Sequence, residues 1–144
     1  MFDLGGESVW DLVLGSFEIL KAKYLEFPQT FNYNDFAAEN LAISRLKDHP
    51  IRAVIFDYDW FCTGLVYSDL RNVVSSLDGE AAVAFELAYG SFDEEERLLD
   101  EPLAILHGLI IASQRENKPT WVEPLLKSVS SGELETSILV ALQI

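Results

Sequence analysis

Two aspartates one residue apart, Asp57 and Asp59, close the apolar run in IRAVIFDYDWFCTG, residues 51–64. Carboxylates at that spacing can hold a divalent cation, or act as nucleophile and general acid. On a strand they point to one face and can share the cation; on a helix they do not face each other. The chemistry therefore turns on which element carries them. Other reactive side chains are few. Cys62 is the single cysteine, which excludes an intrachain disulfide and a cysteine-rich zinc site. On an apolar face it reads as a small buried hydrophobe more than a nucleophile. His49 sits at a turn and His107 inside the most apolar segment, and no H-E-x-x-H set exists. His107 reads as a core or groove histidine with one hydrogen bond.

An apolar strand ending in Asp-x-Asp resembles the first motif of the haloacid dehalogenase-like phosphatases. The resemblance implies a Rossmann-like domain, magnesium, Asp57 as nucleophile and Asp59 as general acid. It covers about ten residues, as short motifs do. Trp60 stands where that family has a small residue and Phe61 where it has threonine or valine. No βαβ alternation follows Asp59, and two expected helices precede it.

Helical periodicity offers the other reading. At about 100° per residue, Ile51, Val54, Ile55, Tyr58, Phe61, Cys62, Leu65 and Val66 fall within roughly a 140° arc. Arg52, Asp57, Asp59, Thr63 and Gly64 fall outside it, and Phe56 and Trp60 are the misplaced apolar residues. The strand template fits less well, because its odd face mixes Ile51, Ile55 and Phe61 with both aspartates. Residue types argue the other way: Val, Ile, Phe, Tyr, Trp and Thr prefer strands. The helix is the favoured reading, and it sets the two carboxylates on opposite flanks of an apolar seam.

The remaining elements read as short helices between frequent turns. Val9, Trp10, Val13, Phe17, Leu20 and Tyr24 make a stripe over residues 7–25, with Pro28 beyond it. Asn34 is a candidate N-cap for a second helix, residues 34–47, with Phe36, Ile43 and Leu46 inward. Ser68 caps a segment bearing Leu70, Val73, Val74 and Leu77, ended by Asp78-Gly79. The alanine-rich residues 80–89 follow, closed by Gly90. Ser91 with Glu94, Thr120 with Glu123 and Ser130 with Glu133 match capping boxes. Asp100 can cap a helix with Pro102 in its first turn, and LAILHGLIIAS, apolar nearly all round, is the expected central helix. The sum is an all-α single domain, residues 1–144, of about seven to nine short helices. The alternative is an α+β fold with a strand at about residues 51–58.

The chain has 144 residues, enough for a core, and 49% hydrophobic content argues against disorder. Its net charge of −14 repels phosphate backbones and favours a basic protein partner over nucleic acid. The run Asp93-Glu94-Glu95-Glu96 suits a solvated helix start or a docking face. MFDLGGESVW lacks a signal-peptide pattern, Gly5-Gly6 lacks the rest of a phosphate loop, and no apolar stretch would span a bilayer. A cytoplasmic protein is expected. Size, acidity and the lack of a catalytic motif suggest a protein-binding module and not an enzyme, with no cofactor or metal. In character it is similar to immunity proteins, antitoxins and other inhibitors that mask a basic surface. The expected contact residues are Phe56, Asp57, Asp59, Trp60, Asp93, Glu94, Glu95 and Glu96, the acids steering and the aromatics locking. A structural helical subunit, self-associated or in a larger assembly, is the second reading, and a magnesium-dependent phosphatase-like enzyme the third.

Overall fold

The stripe read over residues 7–25 forms α1, Glu7–Glu26, with Val9, Ser16 and Leu20 buried on one side. A computed structural model describes residues 7–47 and 49–144. The stretch read for a leader and for Gly5-Gly6 lies largely outside the described residues, as does Asp48. No described helix is long and apolar enough to cross a membrane.

The chain divides into two compact units, Met1–Phe27 with Asp93–Ile144, and Pro28–Phe92. In the first, α1 is joined by α4 (Glu94–Ser113), α5 (Val122–Ser130) and α6 (Glu133–Ala141). Leu99, Ile105, Leu109 and Ala112 of α4 meet Val122 and Val129 of α5 and Leu134, Ile138 and Ala141 of α6 in one core. The helix expected to start at Asp100 is instead continuous through Pro102. Proline has no N–H for the Leu98 carbonyl, an interior defect of about 3 kcal/mol. Burial of Leu99, Pro102 and Ile105 against the core offsets it. The helix starts at Asp93, whose carboxylate accepts from the N–H of Glu95 at 2.9 Å and of Glu96 at 3.4 Å. Asp93, and not Ser91, is thus the cap. Neither remaining capping box forms: Trp121 and Gly132 hold the N-cap positions of α5 and α6, without a side-chain cap bond.

The second unit overturns the all-α expectation. Residues 34–47 do not form a helix; Asn34 has φ 58°, and a short 3-10 turn at Ala38–Asn40 leads into β2, Leu41–Ser44. The favoured helix over residues 51–66 is also absent. Its place is taken by β3 (Arg52–Ile55), a turn, and β4 (Cys62–Leu65). The alternative strand at about 51–58 matches only over β3. β1, Gln29–Asn32, pairs antiparallel with β4, and β2 with β3, giving two two-stranded sheets. Two helices follow, α2 (Val66–Ser76) and α3 (Gly79–Tyr89). Asp78 caps α3 by accepting from the Ala81 N–H at 3.3 Å, while α2 starts two residues before its expected Ser68 cap. With six helices and two antiparallel sheets among the described residues, the protein is α+β. Strand preference of β-branched and aromatic residues prevailed over the apparent helical stripe.

Two tethers hold the end of β1, one part-buried to Asp69 of α2 and one buried to Leu65 at the end of β4. The Asp69 carboxylate accepts from the N–H of Tyr33 at 2.9 and 3.0 Å and of Asn34 at 3.1 Å. The Asn32 amide donates to the Leu65 carbonyl at 2.6 Å, and its own oxygen has no protein partner. These contacts fix the chain where it enters the aromatic surface described next.

Candidate functional site: an aromatic and acidic turn

Residues 56–61 link β3 to β4, and every side chain in that turn is exposed. Asp57 takes φ 69°, a left-handed conformation that Asp tolerates better than most residues, just past the end of β3. The Phe56 N–H donates to the Asn40 carbonyl at 3.1 Å, and the Phe56 carbonyl accepts from the Tyr33 hydroxyl. At the far end, the Asn34 amide donates to the Trp60 carbonyl at 3.4 Å and to Cys62 Sγ at 3.1 Å. The turn is thereby pinned at both ends by residues 33 and 34, which Asp69 itself holds.

Aromatic rings run through this turn in sequence. Phe31 stacks on Phe61 with centroids 5.5 Å apart and planes 10° from parallel. Phe61 meets Tyr58 edge to face at 6.3 Å, and Tyr58 meets Tyr33 at 5.7 Å. Tyr33 continues to Phe36, Phe36 to Phe85, and Phe85 to Tyr89. The inner rings are buried or half-buried, whereas Phe31 is 70% exposed, Tyr58 58% and Phe61 50%. The Phe31–Phe61 stack follows from the ladder: Phe31 lies opposite Thr63, so the residue two before Thr63 is its diagonal neighbour. Burial raises the Tyr33 phenol above the usual tyrosine range, and the nearby carboxylates of Asp35 and Asp57 raise it further.

Four of the expected contact residues come together here. Phe56 and Trp60 are 45% and 46% exposed beside the exposed Asp57 and Asp59. Phe31, Tyr58 and Phe61 were missed, because the helix reading set Tyr58 and Phe61 in a buried stripe. The signal that could have found them is the density of strand-preferring aromatics over residues 56–61. The other four expected residues belong to the helical unit, at the start of α4. Asp93 is spent on its cap. Glu94 accepts from Arg97 Nε at 2.9 Å and Nη2 at 2.5 Å, and this pairing lowers its pKa. Glu96 is only 4% exposed, which removes it from any docking face, and Glu95 is exposed. The run reads mainly as a helix start.

Cys62, expected to be buried, is exposed, and so is His107, read as a core or groove histidine. The aspartates do not flank a helical seam, so that earlier ground for separating them falls. Other geometry bears on the phosphatase resemblance. β3 ends at Ile55, two residues before Asp57, and all strand pairs among the described residues are antiparallel. The parallel sheet that the resemblance implies is not there. Among the described residues no group of three or more His, Cys, Asp or Glu is placed to share a metal ion. An open cleft of about 310 Å³ in the helical unit is lined by Leu98, Glu101, Ser131, Glu133 and Thr136, with Ser137 and Val140. Its Glu133 carboxylate accepts from the Ser128 hydroxyl at 2.6 Å.

No family model matches the chain, and no curated protein or solved structure matches it either. What can be stated is an α+β architecture bearing an exposed aromatic and acidic turn.

Proposed function

We propose that the chain is a protein-binding module that masks a basic surface of a partner protein, as inhibitors of the immunity or antitoxin kind do. The observation that carries this reading is the exposed aromatic turn with two carboxylates inside it. Large apolar groups gathered on a surface are the usual signature of an interaction site. Aromatic faces accept an Arg or Lys side chain by cation–π contact, and adjacent carboxylates pair with the same cation. Stacked rings could equally take nucleic-acid bases. A net charge of −14 disfavours that ligand and favours a basic protein. Asp57 and Asp59 steer the encounter, and Phe56, Trp60 and the Phe31–Phe61 pair supply the buried contact.

Native co-purification at low salt tests the proposal. A basic protein should be retained in stoichiometric amount and released as salt is raised. Replacing Trp60 and Phe61 together by Ala should weaken retention at least about tenfold, with circular dichroism unchanged. Replacing Asp57 and Asp59 by Asn should slow association and flatten its salt dependence. A partner held equally well by the Trp60/Phe61 double variant would remove this surface from the reading. Recovery of no basic protein at stoichiometric level would remove the reading itself.

A further inference from the structure

The β2–β3 ribbon is a bare element. No third strand pairs with it among the described residues, and Ala42, Ile43, Arg52, Ala53 and Val54 are exposed. Only Leu41, Ser44 and Ile55 are half-buried; a two-stranded ribbon so little covered is marginal in water, and an additional strand would stabilise it. Which backbone groups are open can be read from one bond. The Phe56 N–H points toward β2, since it donates to the Asn40 carbonyl. Antiparallel strands alternate, so Val54 and Arg52, opposite Ala42 and Ser44, also direct their amides inward. Ala53 and Ile55 therefore turn theirs to the outer edge. The Tyr58 hydroxyl donates to the Ile55 carbonyl at 2.9 Å, and Ala53 with the Ile55 N–H makes up the rest of that edge.

The edge has a charge direction. Lys47 and Arg52, two of the chain's ten basic residues, lie at its start, and Asp57 and Asp59 lie past its end. Between them Ile51 is 76% exposed and Val54 47%. Antiparallel self-pairing about a two-fold axis brings the basic end of each strand to the acidic end of the other. A strand with its charges in the same direction can match this edge in that way, and a copy of this chain has that pattern by identity. We propose that a second copy of the chain pairs antiparallel with the open edge of β3. The two-fold axis falls at Val54, so the Ile55 N–H of each copy donates to the Ala53 carbonyl of the other, the Ala53 N–H donates to the second lone pair of the Ile55 carbonyl beside the Tyr58 hydroxyl, and Val54 packs against Val54 on one face. The pairing does not rest on the masking reading, because its test uses the purified chain alone.

Sedimentation equilibrium up to about 0.1 mM, where a micromolar complex is mostly formed, should show a dimer. Salt alone is a poor probe, because it screens both the net repulsion between copies and the local attraction. Ala53→Pro removes an N–H that faces the open edge and none that joins β3 to β2. It should leave a folded monomer, whereas Ile43→Pro, which acts on the outer edge of β2, should leave the dimer. Arg52→Glu should raise the dimer Kd at least about tenfold, because in this register Arg52 falls opposite Phe56 of the other copy, next to that copy's Asp57. A wild-type monomer at that concentration overturns the proposal. So does a dimer that survives Ala53→Pro, or one lost with Ile43→Pro instead. If Ala53→Pro fails to fold, the charge pair decides: a dimer indifferent to Arg52→Glu overturns it.

Discussion

The helical unit gathers its apolar side chains into one core, and the strand-bearing unit leaves its largest ones in water. In the former, Leu99, Val122, Leu134, Ile138 and Ala141 are fully buried in a single cluster. In the latter, Leu65, Leu70, Val73 and Tyr33 are buried, while Phe31, Tyr58, Trp60 and Phe61 lie outside. Exposure alone does not separate them, since Leu14, Phe17 and Leu25 of α1 are also exposed. What separates them is organisation. Phe31, Phe61 and Tyr58 contact one another in turn, and the rings of residues 56–61 sit among carboxylates, on a turn held at both ends. A core gains from hiding such rings; a recognition surface gains from presenting them at low entropic cost.

Paired truncations test this contrast most directly. Leu99→Ala leaves a cavity in the helical core and should cost about 3 kcal/mol. Trp60→Ala removes a larger side chain from the surface and should stay within about 0.5 kcal/mol of wild type. Urea unfolding of both variants supplies the comparison. A Trp60 variant as destabilised as the Leu99 variant would make the aromatic turn a structural feature and not a binding one.

Asp69 tests what holds the turn. Asp69→Ala strands the amides of Tyr33 and Asn34, and loss of these charge-assisted bonds should cost about 2 kcal/mol. Hydrogen exchange should accelerate at residues 33 and 34 and in the turn that residues 33 and 34 anchor. Unchanged protection there would mean that ring packing alone fixes the surface.

Legibility in the sequence followed the same division. α1 and α3 were readable because a helix of several turns repeats its pattern often enough to be counted, or is rich in alanine. The aromatic turn was not. A four-residue strand shows two residues to each face, too few to distinguish a period of 2 from one of 3.6. Because the ribbon is bare, its two faces also lack the apolar–polar alternation that marks a half-buried strand. Residues 51–66 thus mimicked a helical stripe across two separate strands. Composition was the better guide there, since the strand-preferring types pointed to the observed elements. The turn was half legible: Phe56 and Trp60 stood out because they failed a helical pattern that the chain does not adopt, and the structure leaves both exposed. The acidic run misled in the other direction. Neighbours in sequence, Asp93 to Glu96 divide among a cap, an ion pair, an exposed carboxylate and a buried one.

Gly132 offers a smaller test, confined to the helical unit. It has φ 80° between α5 and α6, and a Cβ there would meet no atom within 4 Å. Gly132→Ala should therefore cost about 1 kcal/mol from backbone strain alone. Thermal unfolding reads this directly. A neutral effect would indicate that the linker adopts another conformation at little cost.

The smallest effects are in pH, where the two units should respond at opposite ends of the scale. Tyr33 has its phenol pKa raised by burial, then by Asp35 and Asp57. A raised folded pKa adds stability that is complete below the unfolded value of about 10 and is lost as pH climbs through the folded one. Glu94 is lowered through the Arg97 hydrogen bond. Its contribution is present above the unfolded carboxylate value of about 4.3 and disappears as pH falls through the folded one. A difference titration of tyrosinate absorbance between wild type and Tyr33→Phe should place Tyr33 above its ordinary range. Asp57→Asn should bring it only partway back, because burial is the larger cause. Arg97→Gln should raise Glu94 in carboxyl-resolved NMR and leave Tyr33 unmoved. A Tyr33 titration indifferent to Asp57→Asn would place that carboxylate away from the phenol, and would separate the acidic half of the turn from its aromatic half.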